Sequence, residues 1–214
     1  PRGAITENSE YEDYPSQTKI ISALKFSGKT NSGLSVGILD AITARENAKY
    51  RDSTNTDTFQ AVEPFANSLV LRLKQDLKDG KIIFGGFLTN KQQVLNTNYL
   101  RSSFVSKANV MGVDFEYALP DPAWVVSGYT ATSTLLGTEK IVSEIQRNSA
   151  HYFQRPDDKI TLDTTKTQLD GTSSELSLTK ISGKNIKGSF TYRKISPGYD
   201  INAVSYTHLR AHET

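Results

Sequence analysis

The chain has no cysteine, one tryptophan, one methionine and three histidines in 214 residues. Without cysteine there is no disulfide and no thiolate metal site. No run of about 18 apolar residues occurs, so no transmembrane helix is encoded, in keeping with a mean hydropathy of −0.45. A membrane β-barrel needs no such run, because its strands show lipid only every second side chain and polar lumen residues dilute the average. Charge of one sign is also lacking: the net charge is +2, and no stretch gathers cations into the stripe that tracks phosphates. Nucleic acid is therefore not an expected partner. No nucleophile elbow, P-loop, zinc-protease helix or dinucleotide glycine fingerprint is read from the sequence, so the motif-defined enzyme classes gain no support.

The ends carry little fold information. The chain opens at Pro1 without Met, basic n-region or apolar h-region, so an export signal and any earlier module are expected upstream. Residues 1–16, with Glu7, Glu10, Glu12 and Asp13, read as a polar loop or upstream linker. The last eleven residues, Val204 to Thr214, match one reading frame of a transposase-end sequencing adapter and are set aside as an artefact tail. His208 and His212 stand four apart and would mimic a metal pair on a helix, but both fall in that tail. His151 then stands alone, and neither a metal nor a cofactor is expected.

What is present is alternation. Met111, Val113, Phe115 and Tyr117 are apolar, while Gly112, Asp114 and Glu116 lie between them. Leu69, Leu71 and Leu73 alternate with Val70, Arg72 and Lys74; Leu34, Val36 and Ile38 with Gly33, Ser35 and Gly37; Phe190 and Tyr192 with Ser189, Thr191 and Arg193. A period of two puts each set on its own face of a strand, where a helix would mix them. Less regular strands are expected over 17–28, 81–90, 123–134 and 173–182, making about eight in all. Tilted strands of roughly ten residues cross a bilayer.

The connections alternate too. Short links with turn chemistry fall at Lys29-Thr30-Asn31-Ser32, Lys78-Asp79-Gly80, Pro120-Asp121-Pro122 and Ser182-Gly183-Lys184-Asn185. Long polar links fall between them, at 47–64, 91–105 and 135–172. In an up-and-down barrel successive connections lie at opposite ends, and outer-membrane barrels keep one set short and the other long. The expected fold is thus all-β: an antiparallel up-and-down transmembrane β-barrel, incomplete, spanning 17–203. The spacing of Ile141, Val142 and Ile145 behind Thr138 predicts a short capped helix over 138–147 in the longest loop, packed on the rim or into the lumen.

If the oily faces meet lipid, Arg72, Lys74, Asp114 and Glu116 point into the lumen, either lining a solute path or pairing with one another. The string His151-Tyr152-Phe153-Gln154-Arg155-Pro156-Asp157 combines aromatics, an amide and a guanidinium. His151, Tyr152, Phe153, Gln154 and Arg155 are candidate contacts to a sugar-like ligand, or else the anchor of a folded-back loop. No catalytic residue can be assigned. The 23 acidic residues allow any carboxylate pairing, and their separations are invisible in sequence.

The order of several pieces resembles the family catalogued as domain of unknown function 5916, found in outer-membrane barrels of Bacteroidetes and related bacteria. These are Ala23 to Lys29, Gly33 to Thr43, Glu63-Pro64, Gly112 to Phe115, Ser127-Gly128-Tyr129, His151 to Asp157, and Ser196-Pro197-Gly198-Tyr199-Asp200-Ile201-Asn202. Members typically carry an amino-terminal module similar to family-9 carbohydrate-binding domains, which has no counterpart here, so the resemblance implies a link to carbohydrate at the bacterial surface. The expectation is an outer-membrane piece that handles, binds or passes carbohydrate or another solute, with lipid as partner. It is not itself expected to be an enzyme, and its oligomeric state is open. The alternatives are a surface glycoside hydrolase using loop carboxylates (Glu139, Glu144, Asp157, Asp158) and a soluble β-sandwich binding module.

Overall fold

Alternating side chains define faces only once neighbouring strands pair in register. The computed structural model describes residues 3–5, 11–52, 54–120, 124–149, 151, 153, 160–183 and 187–200. Eight strands form one antiparallel sheet: β2 (Ile20–Lys29), β3 (Leu34–Thr43), β6 (Phe65–Leu77), β7 (Ile82–Val94), β8 (Lys107–Ala118), β9 (Trp124–Leu136), β10 (Gln168–Lys180) and β11 (Gly188–Ile195). They lie in chain order across the sheet. The one interruption is the hairpin of β4 (Glu46–Arg51) and β5 (Asp57–Glu63), which with β1 (Glu12–Asp13) makes a separate three-stranded sheet. The eight expected strands are all found, and they are longer than the five or six residues usual in globular proteins. Among the described residues the sheet is open, with β2 and β11 as its edges and no closed barrel.

The tight connections gather at one end of the sheet. At Thr30–Gly33 the Thr30 N–H donates to Leu34 O (2.8 Å) and Gly33 N–H to Thr30 O (3.1 Å). Lys78 and Asp79 both take left-handed backbone (φ 53° and 56°), the geometry that matches hairpin twist. Gly80 (φ 85°) follows at no steric cost, and its N–H donates to Asp76 Oδ1 (2.7 Å). Within the other two expected turns, Asp121, Pro122, Lys184 and Asn185 lie outside the described residues, as do Glu7, Glu10 and the tail 204–214.

The long links gather at the other end and supply the core. Helix α1 (Asn98–Ser103) is capped by Thr97 and α2 (Glu139–Arg147) by Thr138, which accepts from Ile141 N–H. Glu139 in the first turn and Arg147 in the last suit the helix dipole. Ile141, Val142 and Ile145 pack against Ala108 and Val110 of β8, Leu135 of β9, Leu169 of β10, and Phe153. The register sets Ala108 beside Leu135 and Leu135 beside Leu169, so the helix covers three adjacent strands. Ala108 and Val110 are in phase with Asp114 and Glu116, so α2 packs on the charged face of the sheet. Full burial of such side chains contributes about 1.5–3 kcal/mol each. A second cluster joins Leu100 and Phe104 to Ala61 of β5.

Among the described residues, the opposite face carries no such cover. Val113 (59%) and Phe190 (73%) are widely exposed. Leu73 is exposed, and Leu69, Leu71 and Phe115 are half-buried, on one face and outside the core. By urea unfolding, Ile141→Ala is expected to cost about 2–5 kcal/mol, whereas Met111→Ala on the uncovered face should change stability by less than about 0.5 kcal/mol. Equal losses would mean that the core lies elsewhere.

Candidate functional site

The inner face divides into two zones, a charged one towards the tight turns and a packed one towards the long links. In the first, register places Lys74, Gly85, Asp114, Tyr129, Glu175 and Arg193 side by side across six strands. Arg72 reaches over Gly85 to grip Asp114 with both terminal nitrogens, Nη2 lying 2.8 Å from Oδ1. A Cβ on Gly85 would fall 2.6 Å from Arg72 Nη2 and from Asp114 Oδ1; the missing side chain is what lets the pair span β7. Arg193 Nε donates to Glu175 Oε2 (2.6 Å), and Tyr129 Oη meets Ser173 Oγ (3.0 Å).

All four candidate lumen residues therefore share one face. Arg72 and Asp114 are joined, while Lys74 and Glu116 on the same face are exposed. Sequence reasoning missed Glu175 and Tyr129 as members of this row. The signal was there: Glu175 is out of phase with Leu176 and Leu178 of its strand, as Arg193 is with Phe190 and Tyr192, but only register makes the two neighbours.

In the second zone, His151 and Phe153 turn inward. Both are buried, at 6% and 7% exposure. Phe153 N–H donates to Gln146 O (2.9 Å) and His151 N–H to Asn148 O (3.0 Å), an arrangement that folds the segment back under α2. Tyr152, Gln154, Arg155, Asp157 and Asp158 lie outside the described residues. Beyond β11, residues 196–200 return over the inner face as a strap. Ser196 N–H donates to Thr172 O (2.9 Å), Thr172 N–H to Ser196 Oγ (2.8 Å), and Asp200 N–H to Ser133 Oγ (3.0 Å). His151 Nδ1 lies 2.7 Å from Pro197 O, and Nε2 lies 3.6 Å from Asp200 Oδ2. Two segments some 45 residues apart are thus brought together at one imidazole. Burial opposes charge on His151, but the Asp200 carboxylate and the Pro197 carbonyl outweigh it and hold the ring's pKa above its ordinary value.

The family-model comparison matches residues 1–212. The chain belongs to the family described as domain of unknown function 5916. The match runs into the segment read as an adapter tail. No curated protein and no solved structure matches the chain. His151 and the Ser196–Asp200 segment, from two of the pieces noted as carrying the resemblance, meet in the packed zone.

One enzyme signature needs correction. Gly33-Leu34-Ser35-Val36-Gly37 does fit the letters of a G-x-S-x-G elbow. An elbow requires a strand-to-helix turn that exposes the serine, whereas here the string runs from a hairpin turn into β3, with Ser35 paired between Lys29 and Lys74. Glu139 lies in the first turn of α2 and Glu144 five residues on, where Glu144 is half-buried.

Two variants separate geometry from charge in the first zone. Gly85→Ala, whose new methyl strikes both ends of the Arg72–Asp114 pair, is expected to cost about 1–3 kcal/mol by urea unfolding. Asp114→Asn, which removes a part-exposed ion pair, should cost no more than about 1 kcal/mol. The reverse ranking would show that the pair is held elsewhere than over Gly85.

Proposed function

We propose that the eight-stranded sheet is part of the wall of a bacterial outer-membrane β-barrel whose loop end handles carbohydrate or another solute at the cell surface. The observation that carries the membrane part is the oblique course of the apolar band on the outer face. The register row that begins at Leu24 passes through Asp40, Leu69, Asn90, Asn109 and Thr134 to Asp170. On β2 the band is at Leu24 and Phe26; on β10 it is at Leu176 and Leu178, six and eight residues past Asp170. Register rows run perpendicular to strands, so a flat slab of lipid cuts tilted strands along such a diagonal.

Both margins of the band agree with this reading. On the loop side, polar side chains bond to one another: Asn67 to Asp40 (2.8 Å), Asn90 to Asn109, and Thr134 to Asp170 (2.8 Å). On the turn side stand Tyr117 and Trp124, with Lys180 Nζ 5.5 Å from the indole centre, the residue types that settle at headgroup level. A soluble sandwich would cover this face with a second sheet. Unpaired edges in hydrocarbon cost several kcal/mol per backbone group, so the reading requires strand partners for β2 and β11.

The packing of α2 on the inner face favours binding or gated handling of a solute over an open pore. Carbohydrate enters through the family resemblance alone, and the candidate contacts to it are those of the His151 segment.

Trp124 is the single tryptophan of these 214 residues, and with every tryptophan outside them replaced by Phe it makes the test direct. In liposomes, Trp124 of the full-length protein should be quenched most by lipids brominated near the headgroup. A tryptophan moved to position 113 in a Trp124→Phe background should be quenched most by bromines deep in the chains. Absence of quenching at both positions would sink the membrane reading.

A further inference from the structure

The strap at 196–200 is built into the sheet rather than laid on it. A Cβ on Gly171 would fall 2.0 Å from Tyr199 N, and one on Gly198 would fall 2.1 Å from Asp170 O. Two side-chain-free positions therefore face each other where strap and β10 cross. Ser196, Pro197 and Gly198 then form one wall of a cavity of about 590 Å³, whose other sides include Phe153, Ile160 and Leu169. Whatever holds the strap also shapes that cavity.

The far end of the strap is held by His151, and the hydrogen bonds open to the ring decide in which state. A carbonyl oxygen only accepts, so the 2.7 Å contact to Pro197 O places a proton on Nδ1. Nε2 then faces the Asp200 carboxylate at 3.6 Å. In the neutral ring this nitrogen turns a lone pair towards an anion, which is repulsive. In the imidazolium it turns an N–H towards the anion, and the contact becomes attractive. His151 is 6% exposed and the Asp200 side chain 16%, so solvent screens the contact poorly.

We propose that residues 196–200 are a proton-sensitive strap: with His151 charged its Asp200 end is held more tightly against β9, and with His151 neutral that hold weakens, loosening the strap beside the cavity. Asp200 is the charged group among the described residues whose field reaches the ring. Tyr199, on the same strap, faces Asp200 and Tyr129 of β9. The sign follows from the raised pKa of His151. The stabilisation is fully present below the unfolded-state value of about 6.5 and is lost as pH rises through the higher folded value. The strap's operation does not depend on whether the outer face meets lipid, because every group in it belongs to one end of the inner face.

Hydrogen exchange read by mass spectrometry on the full chain tests it, with rates corrected for the intrinsic effect of pH. The amides of Thr172, Tyr199 and Asp200 report the strap, and those of β7 serve as a control for global stability. In the wild type, the strap amides should exchange about tenfold more slowly at pH 5.5 than at pH 8.5, with β7 unchanged. His151→Gln keeps a donor for Pro197 but cannot titrate, and Asp200→Asn keeps the shape but removes the anion; both should abolish the pH difference. Strap protection in the wild type that is independent of pH overturns the proposal without recourse to any variant. So does a pH difference that survives in both variants.

Discussion

A slip of one residue between any two neighbouring strands of the large sheet would carry every leucine of the outer band to the inner face and every charge to the outer one. Antiparallel register is the constraint on which the remaining features stand. It aligns Ala108, Leu135 and Leu169 into a platform wide enough for α2. It also aligns Asp114, Tyr129, Glu175 and Arg193 into a polar row, and it exposes the drift of the apolar band. The tight turns protect that register. Three successive left-handed residues at Lys78, Asp79 and Gly80 leave little freedom for β6 and β7 to slide.

Because its two faces bury different things, the sheet has an asymmetric energy source. Near the long links the inner face is a conventional core, closed by α2 and Phe153. Nearer the turns it holds ion pairs, Arg72 with Asp114 and Glu175 with Arg193, which are part-exposed and contribute modestly. The outer face, whose apolar side chains are exposed or half-buried, contributes less in water. Its apolar band finds stabilisation only where something apolar covers it, and a tilted slab of lipid fits its oblique outline. Structure and proposed function meet here, since the feature that makes the sheet costly in water is the one suited to a membrane.

Residues from two of the strings that carry the family resemblance come together in the packed zone. The His151 string and the Ser196-Pro197-Gly198-Tyr199-Asp200 string stand far apart in sequence, and neither had a role that its residues alone made plain. Their meeting gives each a physical role. Gly198 admits the close crossing, Pro197 and Asp200 supply the acceptor and the anion, and His151 binds to both. The histidine read as a ligand contact or as the anchor of a folded-back loop is buried and bonded to the strap. The cavity beside it is walled partly by that chain.

Much of the architecture was legible in the residues alone. Period-two patterning identified all eight strands of the large sheet, and turn chemistry separated short links from long ones. Thr138 with Ile141, Val142 and Ile145 marked α2 at its observed start. These are local signals, carried by residues within a few positions of one another. What tertiary structure decided is what pairs across distance. Glu175 meets Arg193 only through the β10–β11 register, Arg72 meets Asp114 only because Gly85 lies between them, and the strap reaches His151 only because β11 returns the chain to the loop end. Composition and spacing report which face a side chain takes; they do not report which distant side chain will stand beside it there.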